Sequence, residues 1–371
     1  REDSVVPGLL YLGTERGVLF SRDDGARFES LRLDMPTVAV VDLAVTEHDL
    51  VVGTLGRSVY ILDDLTAVRE TTPAIAKSDA HLYAPPPAIA WYLPGKWSGP
   101  LGSKAGAGKN PPRGAMITYR LGEAFEDEIT LEILDADGTV LRRMSSEPKP
   151  RYVPEGHPND DPDDEHEPEL SKDAGINRAS WDLRLDESRW VEGAISEYGA
   201  VPGPTALPGA YTVRLTVGER VLEQPLRVEP DPRAPFDADA ARAQFAFLRG
   251  LRDDVNRIVD LVDAIRGVRG QLADRAARLA DTPAASSVLE TGAALDGRLD
   301  SIERALHSPD AEVNYDVLAG RDGGAKLFSR YGWLASGAQS HPGPPTQGQT
   351  EVAETLRAEL AAGEAAFEEI L

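Results

Sequence analysis

A repeat with a period of 40 residues restricts the fold of the first part of the chain. The stretch LLYLGTERGVLFSRDDG, which begins at Leu9, aligns without gaps with DLVVGTLGRSVYILDDL, which begins at Asp49. The matched positions include Gly13 and Gly53, Thr14 and Thr54, Phe20 and Tyr60, and Asp23 and Asp63. Repeats of about 40–50 residues with several short strands are typical of β-propeller blades. A propeller needs at least about four blades. We therefore expect residues 1–70 to be the terminal blades of an incomplete propeller, with the missing blades upstream.

Two further regions follow before the chain turns helical. Residues 71–114 are rich in proline, glycine and small side chains, which predicts an extended connector. Residues 115–230 contain short runs that alternate apolar and polar side chains, separated by turn sequences such as DADG and VGER. This pattern predicts an immunoglobulin-like β-sandwich, with Trp181 and Tyr211 as core or corner aromatics.

An acidic stretch at 154–170 interrupts the predicted sandwich. It carries acids, prolines and two histidines but almost nothing to bury, so we expect a flexible surface loop. Calcium loops place oxygen ligands at alternate positions around a glycine, and zinc sites need a tetrahedral ligand set. The acidic stretch lacks the calcium spacing, and nothing around His157 and His166 sets a tetrahedral zinc spacing, so we expect no metal ion and no cofactor.

Residues 236–371 have helical periodicity. Apolar residues from Leu248 to Leu279 recur in alternating steps of three and four, which predicts one long helix from near Asp237 to Ala280. Three more amphipathic segments follow, separated by DTP, SPD and HPGPP. We expect an antiparallel bundle of three or four helices. The predicted fold class is therefore a multidomain β plus α protein.

The stretch SRDDGARF raises a question about function, because two acids beside a glycine can be part of an active site or of a turn. It fits the Asp-box pattern through Ser21, Asp23, Gly25 and Phe28. In a turn, Asp23 accepts backbone N–H groups, Gly25 supplies positive φ and Phe28 packs beneath the hairpin. The second copy, ILDDLTAV, keeps the aspartates and loses the glycine and the aromatic residue. We favour the structural interpretation.

Charge and composition exclude several classes of partner. The chain has 62 acidic and 39 basic residues, a formal charge of −23, which repels nucleic acid. No stretch approaches the roughly 20 apolar residues that span a bilayer. With no cysteine, the chain has no disulfide and no thiolate nucleophile. It begins at Arg1 without a leader sequence, which we interpret as a boundary inside a longer protein.

These features together resemble a known family. The two repeat copies, GINRASWDLRL, LPGAYTVRLTVGERVLEQPLRVEPDPR and VNYDVL are similar to the carboxy-terminal part of bacterial sortilin-like propeller proteins, often labelled BNR-repeat (Asp-box) glycosyl hydrolases. The resemblance covers nearly the whole chain. It implies an exported protein, periplasmic or extracellular, whose propeller holds a protein, a peptide or a glycan. The sequence departs from the family at GTLGRS, where a histidine often precedes the glycine, and at the acidic stretch.

Two functions remain open. The first is protein or peptide binding and scaffolding without catalysis by this part of the protein, which we prefer. The alternative is part of a sialidase-like glycosyl hydrolase whose active residues lie mostly upstream. Arg16 and Arg57 are weak candidates for lining the propeller channel, although a surface position is the better interpretation of Arg57. No residue is assigned a catalytic role, since the chain has no G-x-S-x-G, P-loop or dinucleotide motif.

Overall fold

The structure is a computed structural model that describes residues 1–31, 33–91, 112–148, 169–196, 200–318 and 324–371. Within these ranges it is a β plus α protein, with strands up to residue 230 and the long helices after it. The fold class predicted from the sequence is confirmed at this level.

The repeat forms two three-stranded antiparallel sheets. Their strands are β1 (Leu10–Thr14), β2 (Gly17–Ser21) and β3 (Glu29–Ser30) in one sheet, and β4 (Val40–Val45), β5 (Leu50–Thr54) and β6 (Val59–Leu62) in the other. The first residues of the chain lie along β1 through a bridge between Glu2 and Leu10. A short helix, α1 (Thr66–Glu70), follows β6. Both sheets contribute side chains to one apolar core, among them Tyr11, Phe20, Leu43 and Leu50.

Two larger sheets enclose a second core. One has the order β12-β9-β7, with β7 (Ala80–Leu82), β9 (Ala115–Leu121) and β12 (Gly175–Trp181). The other has the order β11-β10-β13-β14-β8, with β8 (Ala88–Ala90), β10 (Ile129–Leu134), β11 (Val140–Ser145), β13 (Gly209–Val217) and β14 (Arg220–Pro230). Only the β14–β8 pair is parallel among the described strands. Apolar residues of both sheets, such as Ile117, Trp181 and Leu215, pack together.

The predicted connector contributes to these sheets. Strands β7 and β8 and a 3₁₀ turn at Ile75–Lys77 lie inside residues 71–114. Each of the two strands has three residues, which is too short for alternation to stand out against the surrounding prolines. Residues 92–111 lie outside the described ranges, as does most of the acidic stretch at 154–170, including both its histidines. The end of that stretch is anchored, because Leu170 is buried in the second core.

The helices begin and end close to where the sequence predicts. α2 covers Ala238–Leu279, with Asp237 as its N-cap accepting from the backbone N–H groups of Asp239 and Ala240 at 3.0 Å. The predicted limits of this helix are confirmed. The others are α3 (Ser286–Leu306), the short and unpredicted α4 (Asn314–Leu318), α5 (Leu327–Gln339) and α6 (Gln347–Glu368). α6 begins with a capping box formed by Thr346 and Gln349.

The long helices share a third core with part of the β region. The predicted seam of α2 is fully buried as far as Ile265, whereas Leu272 and Leu279 are half-buried beside a groove between α2 and α3. A loop between β12 and β13 enters the same core through Trp190, whose ring meets that of Phe328 edge-on at 5.2 Å. Residues of the region predicted to be a sandwich therefore also contribute to the helical core.

Buried carboxylates inside the helical layer are paired with arginines. Asp254 accepts from Arg257 Nη1 at 2.9 Å and from Arg357 Nε at 2.7 Å, which ties α2 to α6. Burial alone would raise the pKa of Glu303. Hydrogen bonds from His307 and Arg266 instead lower this pKa to about 2. Such pairs mainly avoid the cost of a lone buried charge.

We predict that Val262→Ala destabilises the chain by about 1.5–3 kcal/mol, because two buried methyl groups are lost and a cavity is left. Val262 is 0% exposed in the helical core, whereas Val288 on the neighbouring α3 is 62% exposed. The same substitution there, Val288→Ala, should change the free energy of unfolding by less than about 0.5 kcal/mol. Urea unfolding followed by circular dichroism measures both. Equal losses would contradict the burial of this part of α2.

Candidate functional site

The contact between the two repeated sheets depends on a glycine. In the first sheet, Tyr11 pairs with Phe20 and Gly13 with Val18, and these residues share the face that turns toward β4. A Cβ atom added at Gly13 would lie 2.7 Å from Val40 Cγ1. Only glycine therefore allows the second sheet to approach this closely.

The corresponding face of the second sheet is not covered by the described residues. By the period of 40, Val51 and Gly53 correspond to Tyr11 and Gly13, and they pair with Ile61 and Val59. Val59 is 57% and Ile61 56% exposed, while Leu50 on the opposite face is buried. The three atoms nearest to a Cβ atom at Gly53 all belong to its own sheet, at 3.6–3.9 Å. We call this apolar face, formed by Ala44, Val51, Val59 and Ile61, the leading face.

The first sheet has exposed apolar residues on its other face. Leu12 pairs with Leu19, and Leu12 is 43% exposed. Its repeat partner in the second sheet, Val52, is buried between the sheets. Leu10, Leu12 and Leu19 form the trailing face. Each repeated sheet therefore has two apolar faces, and the described residues cover one of them.

The stretch SRDDGARF forms a turn held by its own side chains. Ser21 Oγ donates to Asp23 Oδ1 at 2.8 Å, and the same carboxylate oxygen accepts the N–H of Arg27 at 2.8 Å. Gly25 has φ +88° and its N–H donates to Ser21 Oγ at 2.9 Å. The N–H of Arg27, followed by the Ser21 hydroxyl, lowers the pKa of the exposed Asp23. Phe28 differs from the expectation, because it lies beside Gly25 and remains 42% exposed.

The second copy of the motif keeps the turn but leads into a helix. Asp24 and its repeat partner Asp64 both have left-handed φ, at 56° and 61°. Asp64 Oδ1 then accepts the N–H of Thr66 at 2.9 Å in the first turn of α1. Leu65, which stands where the first copy has glycine, is fully buried. The degenerate box therefore starts a helix.

The two channel candidates lie in equivalent turns. Arg16 is in the turn between β1 and β2, and Arg57 is in the turn between β5 and β6. Both are exposed, and neither side chain makes an ion pair with the part of the chain that the structure describes. The structure does not join them to a tyrosine or an acid. Among the described residues no group of three or more His, Asp or Glu side chains forms a potential metal site.

Sequence reasoning missed a buried carboxylate that ties the repeat together. Asp3 accepts from the hydroxyl of Tyr11 at 2.8 Å, from Arg69 Nε at 3.1 Å, and from the N–H groups of Val5 and Val6. Burial would raise the pKa of Asp3, but these donors together leave it lowered. Since Arg69 lies on α1, the cluster joins the segment before β1 to the helix after β6. No local motif marks the cluster, because Tyr11 and Arg69 lie 8 and 66 residues away from Asp3.

Comparisons with protein-family models, with curated proteins and with solved structures gave no match to this chain. Within the described ranges no helix has the length and apolar character needed to cross a bilayer.

We predict that Asp3→Asn destabilises the chain at neutral pH by about 3 kcal/mol, because Arg69 loses its buried partner. The folded pKa of Asp3 is below its ordinary value of 3.8, so its contribution is present above that pH and is lost as pH falls through the folded pKa. The difference from wild type should therefore shrink below about pH 4. Urea unfolding across pH measures it, with the exposed Asp34→Asn as control. A difference that persists undiminished at low pH would contradict this role.

Proposed function

We propose that this chain is the carboxy-terminal portion of an exported sortilin-like propeller protein, acting in protein or peptide binding and scaffolding. The observation that carries the proposal is the repetition of sheet faces. Face-to-face stacking of equivalent sheets is how propeller blades pack, and the leading and trailing faces are the surfaces that neighbouring blades would cover.

Burial of these two apolar faces in a longer protein would be energetically favourable. A fully buried valine or isoleucine contributes about 1.5–3 kcal/mol relative to an exposed one. The leading face presents several such residues in adjacent cross-strand pairs, Val51 with Ile61 and Gly53 with Val59. A third sheet with a branched side chain over Gly53 would repeat the contact that Val40 makes over Gly13. The proposed partner of the leading face is therefore another blade.

We also propose that residues 115–230 form an immunoglobulin-like sandwich and that residues 236–371 form a helical bundle. The hydroxyl of Tyr211 donates back to the carbonyl of Leu207 at 2.5 Å, and its ring meets Trp181 edge-on at 5.7 Å. A tyrosine bonded to the backbone a few residues upstream is a feature of immunoglobulin-like sandwiches. α2, α3, α5 and α6 share one core, which supports the helical bundle. These two regions would brace the propeller.

The geometry of the Asp-box supports a binding role without catalysis by this chain. Asp23 accepts hydrogen bonds from both sides of its turn, and Arg16 and Arg57 form no ion pair with the described residues. We predict no turnover of sialosides or aryl glycosides by this chain, measured by release of the aryl group or the free sugar. Sustained turnover that a single substitution in residues 1–70 abolishes would contradict the proposal.

The proposed blade contact is tested by one substitution in two settings. Ile61→Ala should cost roughly 2–4 kcal/mol in the full-length parent protein, where a neighbouring blade would bury Ile61. In this chain alone, where Ile61 is 56% exposed, it should cost less than about 0.5 kcal/mol. Ile176, on β12, is 58% exposed and provides the matched control, since Ile176→Ala should be mild in both settings. Chemical unfolding of the six proteins gives the comparison. An Ile61→Ala effect that is equally small in the parent would refute the blade contact.

A further inference from the structure

A cleft of about 280 Å³ lies where the two-sheet region meets the helices. The end of β14, the loop before β13, the first turns of α2 and the end of α5 all contribute to its walls. The walls are largely apolar and include Pro204, Pro208, Phe236 and Phe245. Arg184 and Gln339 also line the cleft, and they contribute hydrogen-bond donors to it.

Arg184 places a positive charge in the cleft and forms no ion pair with the described residues. Its Nη1 donates to the carbonyl of Gly203 at 3.0 Å and to Oε1 of Gln339 at 2.9 Å, and both acceptors are neutral. Nowhere in the described ranges does a carboxylate pair with it. A guanidinium has five N–H donors, so Nε and Nη2 remain able to bind an acceptor. This is unexpected in a chain with 62 acidic and 39 basic residues.

Gln339 presents a second donor. Its oxygen must face Arg184, because arginine only donates, and this fixes the amide with Nε2 on the other side. That Nε2 atom is buried and has no hydrogen-bond partner. A buried donor without an acceptor is costly. Because Nε2 is closed to solvent, the Gln339 side chain would have to turn slightly toward the cleft for a ligand oxygen to remove that cost.

Two further polar side chains of the cleft, Asp231 and Gln244, are already engaged. Asp231 is held by Arg233, with Oδ2 2.6 Å from Nη2 and Oδ1 2.9 Å from Nε. Gln244 Nε2 donates to the carbonyls of Ala338 and His341 at 2.9 and 2.7 Å. Thr205 also lines the cleft, and its hydroxyl can either donate or accept. The free groups of Arg184 and Gln339 only donate, so these two residues select a hydrogen-bond acceptor.

We propose that this cleft binds a small aliphatic carboxylate. The carboxylate would accept from Nε or Nη2 of Arg184 and from Nε2 of Gln339, while its alkyl group would contact the proline and phenylalanine walls. The volume is slightly below the roughly 300–1,000 Å³ of pockets for drug-sized ligands, which suits a ligand of few heavy atoms. A free short-chain acid and the carboxyl terminus of a peptide present this same group. The site does not depend on the proposed blade contacts.

The test is an NMR titration of the chain with ¹⁵N-labelled arginine and glutamine side chains. Isovalerate and its neutral amide, isovaleramide, are compared, and N-acetylvaline and its amide represent a peptide terminus. We expect isovalerate, N-acetylvaline or both to shift the Arg184 Nε–H and Gln339 side-chain signals saturably. The amides should bind roughly tenfold or more weakly, as for loss of a charge-assisted hydrogen bond.

Two variants separate binding from folding. Arg184→Gln should weaken carboxylate binding roughly 10- to 100-fold. Gln339→Glu keeps the shape and the contact with Arg184 but places a carboxylate there, so it should abolish binding while the chain stays folded. Arg242→Gln removes one exposed positive charge near the start of α2 and should leave binding unchanged. Equal binding of acids and amides, unchanged binding by Gln339→Glu, or no saturable shift with either acid would overturn the proposal.

Discussion

The close approach of two sheets at Gly13 is the constraint from which the arrangement of the repeated region follows. A side chain at this position would collide with Val40, so the sheets come together only because glycine stands there. The contact between the two sheets buries an apolar core that includes Tyr11, Phe20, Leu43 and Leu50. The same alternation along each strand then leaves the opposite faces outward, with apolar residues on both.

The remainder of the chain is attached to this region by polar contacts. Arg178 on β12 donates to the carbonyl of Asp63 at 2.8 Å, and the hydroxyls of Thr71 and Tyr83 are 2.8 Å apart. The β region and the helices are joined differently, because Trp190 enters the helical core and Arg252 Nη1 donates to the carbonyl of Asp186 at 3.1 Å. Apolar packing is therefore shared between the β region and the helices, while the repeated sheets keep a core of their own.

The sequence predicts features that have a regular period or a local cap. The period of 40 locates β1, β2, β5 and β6, and the steps of three and four with Asp237 as cap locate α2. Features that depend on distant partners are not predicted. β7 and β8 form by pairing with β9 and β14, which are distant in sequence. Leu170 is buried by packing against residues of the second core. The entry of Trp190 into the helical core also has no local signal, since it depends on where the helices dock.

The same distinction explains why the two candidate sites differ in how far the sequence reveals them. The faces of the repeated sheets follow from alternation within single strands, so the repeat contains the information needed to find them. The cleft at Arg184 draws its donors from a residue after β12 and from the end of α5, which are separated by 155 positions. Arg184 is paired with the neutral Gln339 where a carboxylate would be expected. This pair forms only when α5 has docked on the β region. A binding site at such a junction would therefore form together with the packing of the helices on the sheets, and a ligand that binds it would stabilise that packing by mass action.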